Sequence, residues 1–161
     1  MEKKLAYQMN SFDMNSAIKG QRVLPANTES FSAIVDESQT DPLLAGDPVM
    51  IVSTTTGLPH IAKAAVDDVV MGFVEWNVIS NGSYAAGKIC QVSPAGNVMY
   101  MEAAGALDAG IAVNIDDLDD VTVAAAADSA SVIGWTLESA TAAEQLVRVK
   151  IAEPVVLTAN S

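Results

Sequence analysis

Hydrophobic residues in this chain come in short bursts cut by Gly, Pro and acidic turns, and several bursts alternate with polar residues at the period of a β-strand. The last burst is the clearest: Val147, Val149 and Ile151 face one way, Arg148 and Lys150 the other, and Pro154 stops it. Phe31-Ser32-Ala33-Ile34-Val35 alternates in the same manner. Asp41-Pro42 and Asp47-Pro48 bracket a turn that delivers a strand over 49–53. Thr54 to Pro59 reads as a hairpin connection, Ile61 to Ala64 returns, and a strand over 69–76 follows the acidic turn Asp67-Asp68. Asn81-Gly82 is a strong turn dipeptide. Lys88 to Val92 and Val98 to Glu102 flank Ser93-Pro94-Ala95-Gly96-Asn97, which predicts a middle hairpin. Thr141 to Glu144 fits a capping box with room for about one helical turn.

Two stretches echo each other. Ala45-Gly46 opens Asp47-Pro48-Val49-Met50-Ile51-Val52, and that stretch closes on Val70-Met71-Gly72-Phe73-Val74; Ala109-Gly110 opens Ile111-Ala112-Val113-Asn114-Ile115 and closes on Val132-Ile133-Gly134-Trp135-Thr136. The interval from opening to closing glycine is 26 residues in the first copy and 24 in the second. Gly72 and Gly134, each inside an apolar strand and before an aromatic residue, mark a bulge or a close backbone approach, with Phe73 and Trp135 packing nearby. Leu44-Ala45-Gly46, Ala85-Ala86-Gly87 and Asp108-Ala109-Gly110 each introduce a strand. The pattern predicts an all-β fold, a compact antiparallel β-barrel or sandwich with an internal pseudo-repeat.

Residues 1–38 differ, being rich in Asn, Ser, Gln and Met with little sustained period. They read as an extended N-terminal arm that orders against something else, before a β-rich body over 39–161. A disordered tail, or a strand tucked onto its own domain, is the competing reading. Tyr7, Met9, Phe12 and Met14 are the arm's apolar anchors.

The chain has 161 residues, half of them hydrophobic but only 5% aromatic, so its core is built from Val, Ile, Ala, Leu and Met. Its net charge of −12 argues against direct nucleic-acid binding and against anionic membrane surfaces. The charge is uneven: Lys3, Lys4, Lys19 and Arg22 outnumber Glu2 and Asp13 over residues 1–22, whereas the remainder is strongly acidic. That asymmetry fits either an ordinary tail or a cationic arm lying on an acidic neighbour. No apolar run approaches the ~20 residues that cross a bilayer, and Leu5 to Asn10 is too polar for the apolar core of a signal peptide.

Candidate chemistry is sparse. His60, the single histidine, follows Leu58-Pro59 at a hairpin and reads as a loop residue without a nucleophile-elbow partner. Cys90, the single cysteine, sits in a strand and reads as a core residue rather than a reactive thiol. Asp116-Asp117-Leu118-Asp119-Asp120 could attract Ca²⁺ but lacks the Gly and Glu of an EF-hand loop, and reads as a solvated hairpin tip. No catalytic, cofactor or metal site is expected, and no enzyme.

The series Ala-Gly-Asp-Pro-Val (45–49), Gly-Leu-Pro (57–59), Val-Met-Gly-Phe-Val (70–74), Ala-Ala-Gly-Lys (85–88), Gly-Asn-Val-Met-Tyr-Met-Glu (96–102), Asp-Ala-Gly (108–110), Val-Ile-Gly-Trp-Thr-Leu (132–137) and Val-Arg-Val-Lys-Ile (147–151) resembles the cement or head-decoration proteins of tailed bacteriophages. The resemblance covers roughly residues 40–153 and lies in Gly turns and strands rather than in one motif. It implies a structural virion protein, made in the host bacterial cytoplasm, that binds the outer surface of an assembled capsid and stabilises it. The major capsid protein and further copies of the chain, often as a homotrimer, would be its partners. Lys3, Lys4, Tyr7, Phe12, Met14, Lys19 and Arg22 are the candidate capsid or subunit contacts. The alternative within the same class is another structural virion part, such as a tail or fibre-base module.

Overall fold

The computed structural model describes residues 17–23, 29–53, 57–127, 132–153 and 156–157. The strands in chain order are β1 (Phe31–Val35), β2 (Leu43–Leu44), β3 (Pro48–Ser53), β4 (His60–Lys63), β5 (Gly72–Val74), β6 (Ser83–Tyr84), β7 (Ile89–Ser93), β8 (Val98–Ala103), β9 (Ala112–Asp117), β10 (Thr122–Ala125), β11 (Gly134–Thr136) and β12 (Leu146–Ile151). There is no helix among the described residues. Two closed five-stranded barrels account for all of them except β2 and β6, which pair with each other.

The barrels share one topology. Around the first the order is β1-β4-β3-β5-β7, and around the second β8-β10-β9-β11-β12. One pair in each is parallel, β1 with β4 and β8 with β10; the other pairings are antiparallel. The hydrogen bonds outside the ladders repeat as well. Gly46 N–H donates to the Val74 carbonyl at 2.8 Å and Gly110 N–H to that of Thr136 at 2.8 Å. Val74 N–H donates to Asp47 O at 3.0 Å and Thr136 N–H to Ile111 O at 3.0 Å. The sequence echo is therefore a duplicated barrel rather than two halves of one.

Each barrel closes where β5 meets β7 and β11 meets β12. A Cβ on Gly72 would lie 2.5 Å from Ser93 O and 2.7 Å from Val92 Cγ1. On Gly134 it would collide with Lys150 O and lie 2.6 Å from Val149 Cγ1. The backbones approach too closely for any side chain there, which is why both copies keep glycine.

Alternation then decides the interiors. Ala33, Val35, Val49, Ile61, Val74, Cys90 and Val92 fill the first barrel, with Leu43 and Tyr84 packed against them. Met99, Met101, Ala103, Val113, Val123, Val147, Val149 and Ile151 belong to the second core. Small and branched residues suit a narrow five-stranded bore, and this accounts for the shortage of aromatics. Phe73, Val70 and Ala64 of the first repeat join the second barrel's core cluster, with Met50 packed against it. The two cores are thus joined by one outer face of the first barrel.

Four sequence expectations change. The predicted middle hairpin does not form: β7 pairs with β1 and β5, and β8 with β12 and β10, so residues 94–97 link two barrels whose strands already have both neighbours. The predicted strand over 69–76 is regular only from Gly72 to Val74. Phe31–Val35, placed in the arm by composition, is a stave of the first barrel. The capping box at Thr141 starts no helix; Gln145 Oε1 instead accepts the N–H groups of Thr141 at 2.6 Å and Ala142 at 3.3 Å, closing a turn.

The duplication exposes one local misfit. Gly87 N–H donates to Val35 O and the equivalent Glu144 N–H to Ala103 O. Gly87 has φ of 75°, and Glu144 is held at φ of 64°, a left-handed conformation that costs a side chain roughly 1 kcal/mol. Glu144→Gly is expected to stabilise the protein by about 0.5–1 kcal/mol after the glycine's unfolded-state entropy is counted. The melting temperature should rise by about 1–4 °C. Gly87→Ala should lower it. Thermal unfolding followed by circular dichroism reads both, and a fall in the first variant contradicts the assignment.

Candidate interaction surface

The barrels are filled, so the surface is where this chain can act. The segment before β1 is the first part of it. Gly20 N–H donates to Tyr100 O, Tyr100 N–H to Gln21 O and Val23 N–H to Val98 O, each within 3.0 Å, so Gly20 to Val23 lies along the start of β8. Trp76 N–H of the first repeat donates to Gly20 O at 2.9 Å. The segment stitches the two barrels together through its backbone.

Its two cations are engaged by the same chain. Lys19 Nζ lies 3.7 Å from Glu102 Oε2 and donates to the Asp120 carbonyl. Arg22 donates to Ser30 Oγ at 3.0 Å and lies 3.7 Å from Glu75 Oε1, which also accepts from Ser93 Oγ at 2.6 Å. Lys63 does the same from β4, with Asp47 Oδ1 at 3.1 Å and the Asp119 carbonyl at 3.4 Å. The acidic turn between β9 and β10 is thus tied by its carbonyls to the first barrel and to the segment before β1. Of the seven contact candidates, Lys19 and Arg22 are therefore brought onto the chain's own body. Lys3, Lys4, Tyr7, Phe12 and Met14 lie outside the described residues.

The residues that might carry chemistry do not converge. Cys90 is buried inside the first barrel, where desolvation pushes its thiol up to about 11. His60 opens β4 rather than sitting in a loop, with Nδ1 3.2 Å from Asp36 Oδ2. Asp36 also accepts from Ser38 Oγ at 2.6 Å and Ser38 N at 2.9 Å; these bonds, ahead of His60, hold its carboxyl below the ordinary value. Among the described residues no group of three or more His, Cys, Asp or Glu side chains is placed to hold a metal ion.

What the surface does present is apolar. Ile79 is 92% exposed on the loop between β5 and β6. Ile79 N–H bonds to Asn77 Oδ1 at 2.7 Å, and Gly82 packs under Trp76 at the base of the loop. Ile79, Tyr84, Lys88 and Ile89 line an open groove of about 440 Å³. The second repeat has no such loop: residues 75–83 separate β5 from Tyr84, but only 137–139 separate β11 from Ala140. Trp135 and Leu137 stand exposed on the second barrel.

Tyr84, which lines that groove, is buried, its hydroxyl donating to Glu75 O at 2.9 Å. Trp135, expected to pack beside Gly134, faces out. The one available signal was the unequal length of the two repeats between their closing glycine and the next turn.

Two outcomes test this account. Cys90 should resist a thiol-specific disulfide reagent at pH 8 in the native protein and react fully in urea; rapid native labelling contradicts its burial. Asp36→Asn should lose stability relative to wild type above the unfolded carboxylate range, and the gap should close as pH falls through the depressed native value. Chemical denaturation at pH 7 and pH 3 measures that gap, and an equal gap at both contradicts the role given to Asp36.

Comparison with known proteins places this surface in context. A search of curated proteins finds no match. Among solved structures, the fold is similar to "head fiber gp8.5 N base in bacteriophage phi29", with a TM-score of 0.52 and 20% identity over 78% of this chain and 94% of that one. The family described as "Structural cement protein (E217 gp24/Pam3 gp6)" matches residues 7–152. The body is a duplicated β-barrel, and the chain belongs to the phage structural cement protein family.

Proposed function

We propose that this protein binds the outer surface of an assembled phage capsid and stabilises the shell, with the major capsid protein and further copies of itself, as a homotrimer, for partners. The observation that carries the reading is the placement of large apolar side chains, Ile79 and Trp135 foremost, on the outside of two filled barrels. Membership of the cement family supports it. A protein that binds only assembled subunits stabilises the assembly by mass action.

On this reading the expected arm of residues 1–38 reduces to the stretch before β1, which has distinct parts. Ala17 to Val23 contributes Lys19 and Arg22 to the chain's own body, and the capsid contacts fall to Lys3, Lys4, Tyr7, Phe12 and Met14. The test is a deletion that stops before Ala17, because a longer one would strip backbone partners from β8. Deleting residues 1–16 should leave the melting temperature within a few degrees of wild type and abolish co-sedimentation with expanded shells. Unchanged binding by the truncated protein would remove the arm from the mechanism. The fold likeness to a head-fibre base favours a second reading, a platform on which a fibre stands. Electron microscopy of labelled particles separates the two: density spread over the shell fits a cement, and density only beneath fibres fits a base.

A further inference from the structure

Phe73 and Trp135 occupy the same position in the two repeats. Each follows the closing glycine, and the bonds on either side match: Met71 N–H to Val49 O at 2.8 Å and Ile133 N–H to Val113 O at 2.9 Å. Their surroundings differ. Phe73 is 1% exposed, covered by the second barrel together with Met50, Ala64 and Val70. Trp135 is 46% exposed. Its cross-strand neighbours are Ala112 on one side and Lys150 on the other. Leu137, two residues along and also exposed, extends the face, and Arg148, two residues from Lys150, shares its side of β12, where its guanidinium is paired with Glu138 Oε2 at 3.0 Å. An exposed Trp beside a small residue and a lysine has the composition of a binding hot spot.

We infer that the Trp135–Leu137–Lys150 face of the second barrel is a self-association surface, covered in the oligomer by the acidic exterior of a second copy of this chain. Two observations select that occupant. The equivalent face of the first barrel is already covered, and what covers it is a barrel of the same fold; the chain thus displays how this face is capped. The local charge also matches. Lys150 sits exposed on this face beside Trp135, whereas a second copy carries Asp67-Asp68 and the turn Asp116 to Asp120 on its outside. A contact between unlike surfaces is heterologous, so it closes into a ring when the rotation allows. The inference deepens the self-association part of the preceding reading and rests on that part, not on capsid binding.

Sedimentation of the full chain without capsids tests it. Wild type should associate above its monomer mass of 16.7 kDa. Trp135→Glu and Lys150→Glu should each weaken association by roughly tenfold or more. Ile79→Ser, on the loop between β5 and β6 of the first barrel, should leave it unchanged. Far-ultraviolet dichroism should match wild type in all three, since the altered side chains are exposed, and melting temperature should match at protein concentrations too low for association. A wild-type monomer at about 100 μM, where a contact with a micromolar Kd would be largely formed, overturns the inference. So does an oligomer indifferent to Trp135→Glu. Monomeric wild type that decorates shells while Trp135→Glu does not would assign the face to the capsid instead, overturning this inference and leaving the decoration reading intact.

Discussion

In each repeat two backbones meet so closely that a hydrogen atom is the only side chain that fits. Gly72 against Ser93 and Gly134 against Lys150 let strands of three to six residues curl into a closed bore. Closure removes sheet edges, and edges are what an extended β surface would otherwise offer to indiscriminate pairing. It also fixes the interior volume. A narrow bore accepts Val, Ala and Met, and the few bulky aromatics are left to the outside, to a barrel end or to the join between barrels. The poverty in aromatics and the sites of those that remain follow from one geometric condition.

Duplication then creates an inequality. A five-stranded barrel of some sixty residues is near the lower limit of what a hydrophobic core can hold folded, so the second copy serves the first as additional core. Phe73, Val70 and Ala64 are outward-facing in their own barrel and inward-facing in the molecule. Burying an aromatic of this size is worth about 1.5–3 kcal/mol, a substantial share of a typical net stability. Only one barrel can be covered this way within one chain. The segment from Gly20 to Val23 and the lysines at 19 and 63 add polar ties across the same join. These lysines hold the acidic turn by its carbonyls while pairing with Glu102 and Asp47, so the carboxylates of the turn itself stay turned to solvent.

Much of this was legible in the sequence because it is local. The alternation at Val147 to Ile151 is a strand in any context, and the glycine spacing of the two echoes identified the repeat before its topology was known. What escaped was non-local. Residues 93–97 have good hairpin chemistry, but turn residues do not say whether the flanking strands still have free edges; here both had been taken by barrel closure. Lys19 and Arg22 looked like an unattached basic arm because their partners, Glu102 and Glu75, lie far along the chain. The exposure of Trp135 was hidden for the same reason. Its local context is nearly that of Phe73, and only the packing of one barrel on the other distinguishes them.

A protein whose work is done by its outside must solve two problems with one surface. On the proposed reading it must stay dispersed when free, and it must adhere when a partner lattice appears. The net charge of −12 serves the first by opposing indiscriminate aggregation. Small apolar islands held on rigid β elements serve the second. Each is too small to drive collapse, yet each has little conformational entropy to lose on binding, since Trp135 is fixed by its strand and Ile79 by the Asn77 turn. Many such contacts repeated over a symmetric shell add through effective concentration rather than through individual strength. On the proposed reading, modest patches on a filled, acidic, duplicated barrel therefore suffice for tight attachment to an assembled surface and weak attachment to its isolated parts.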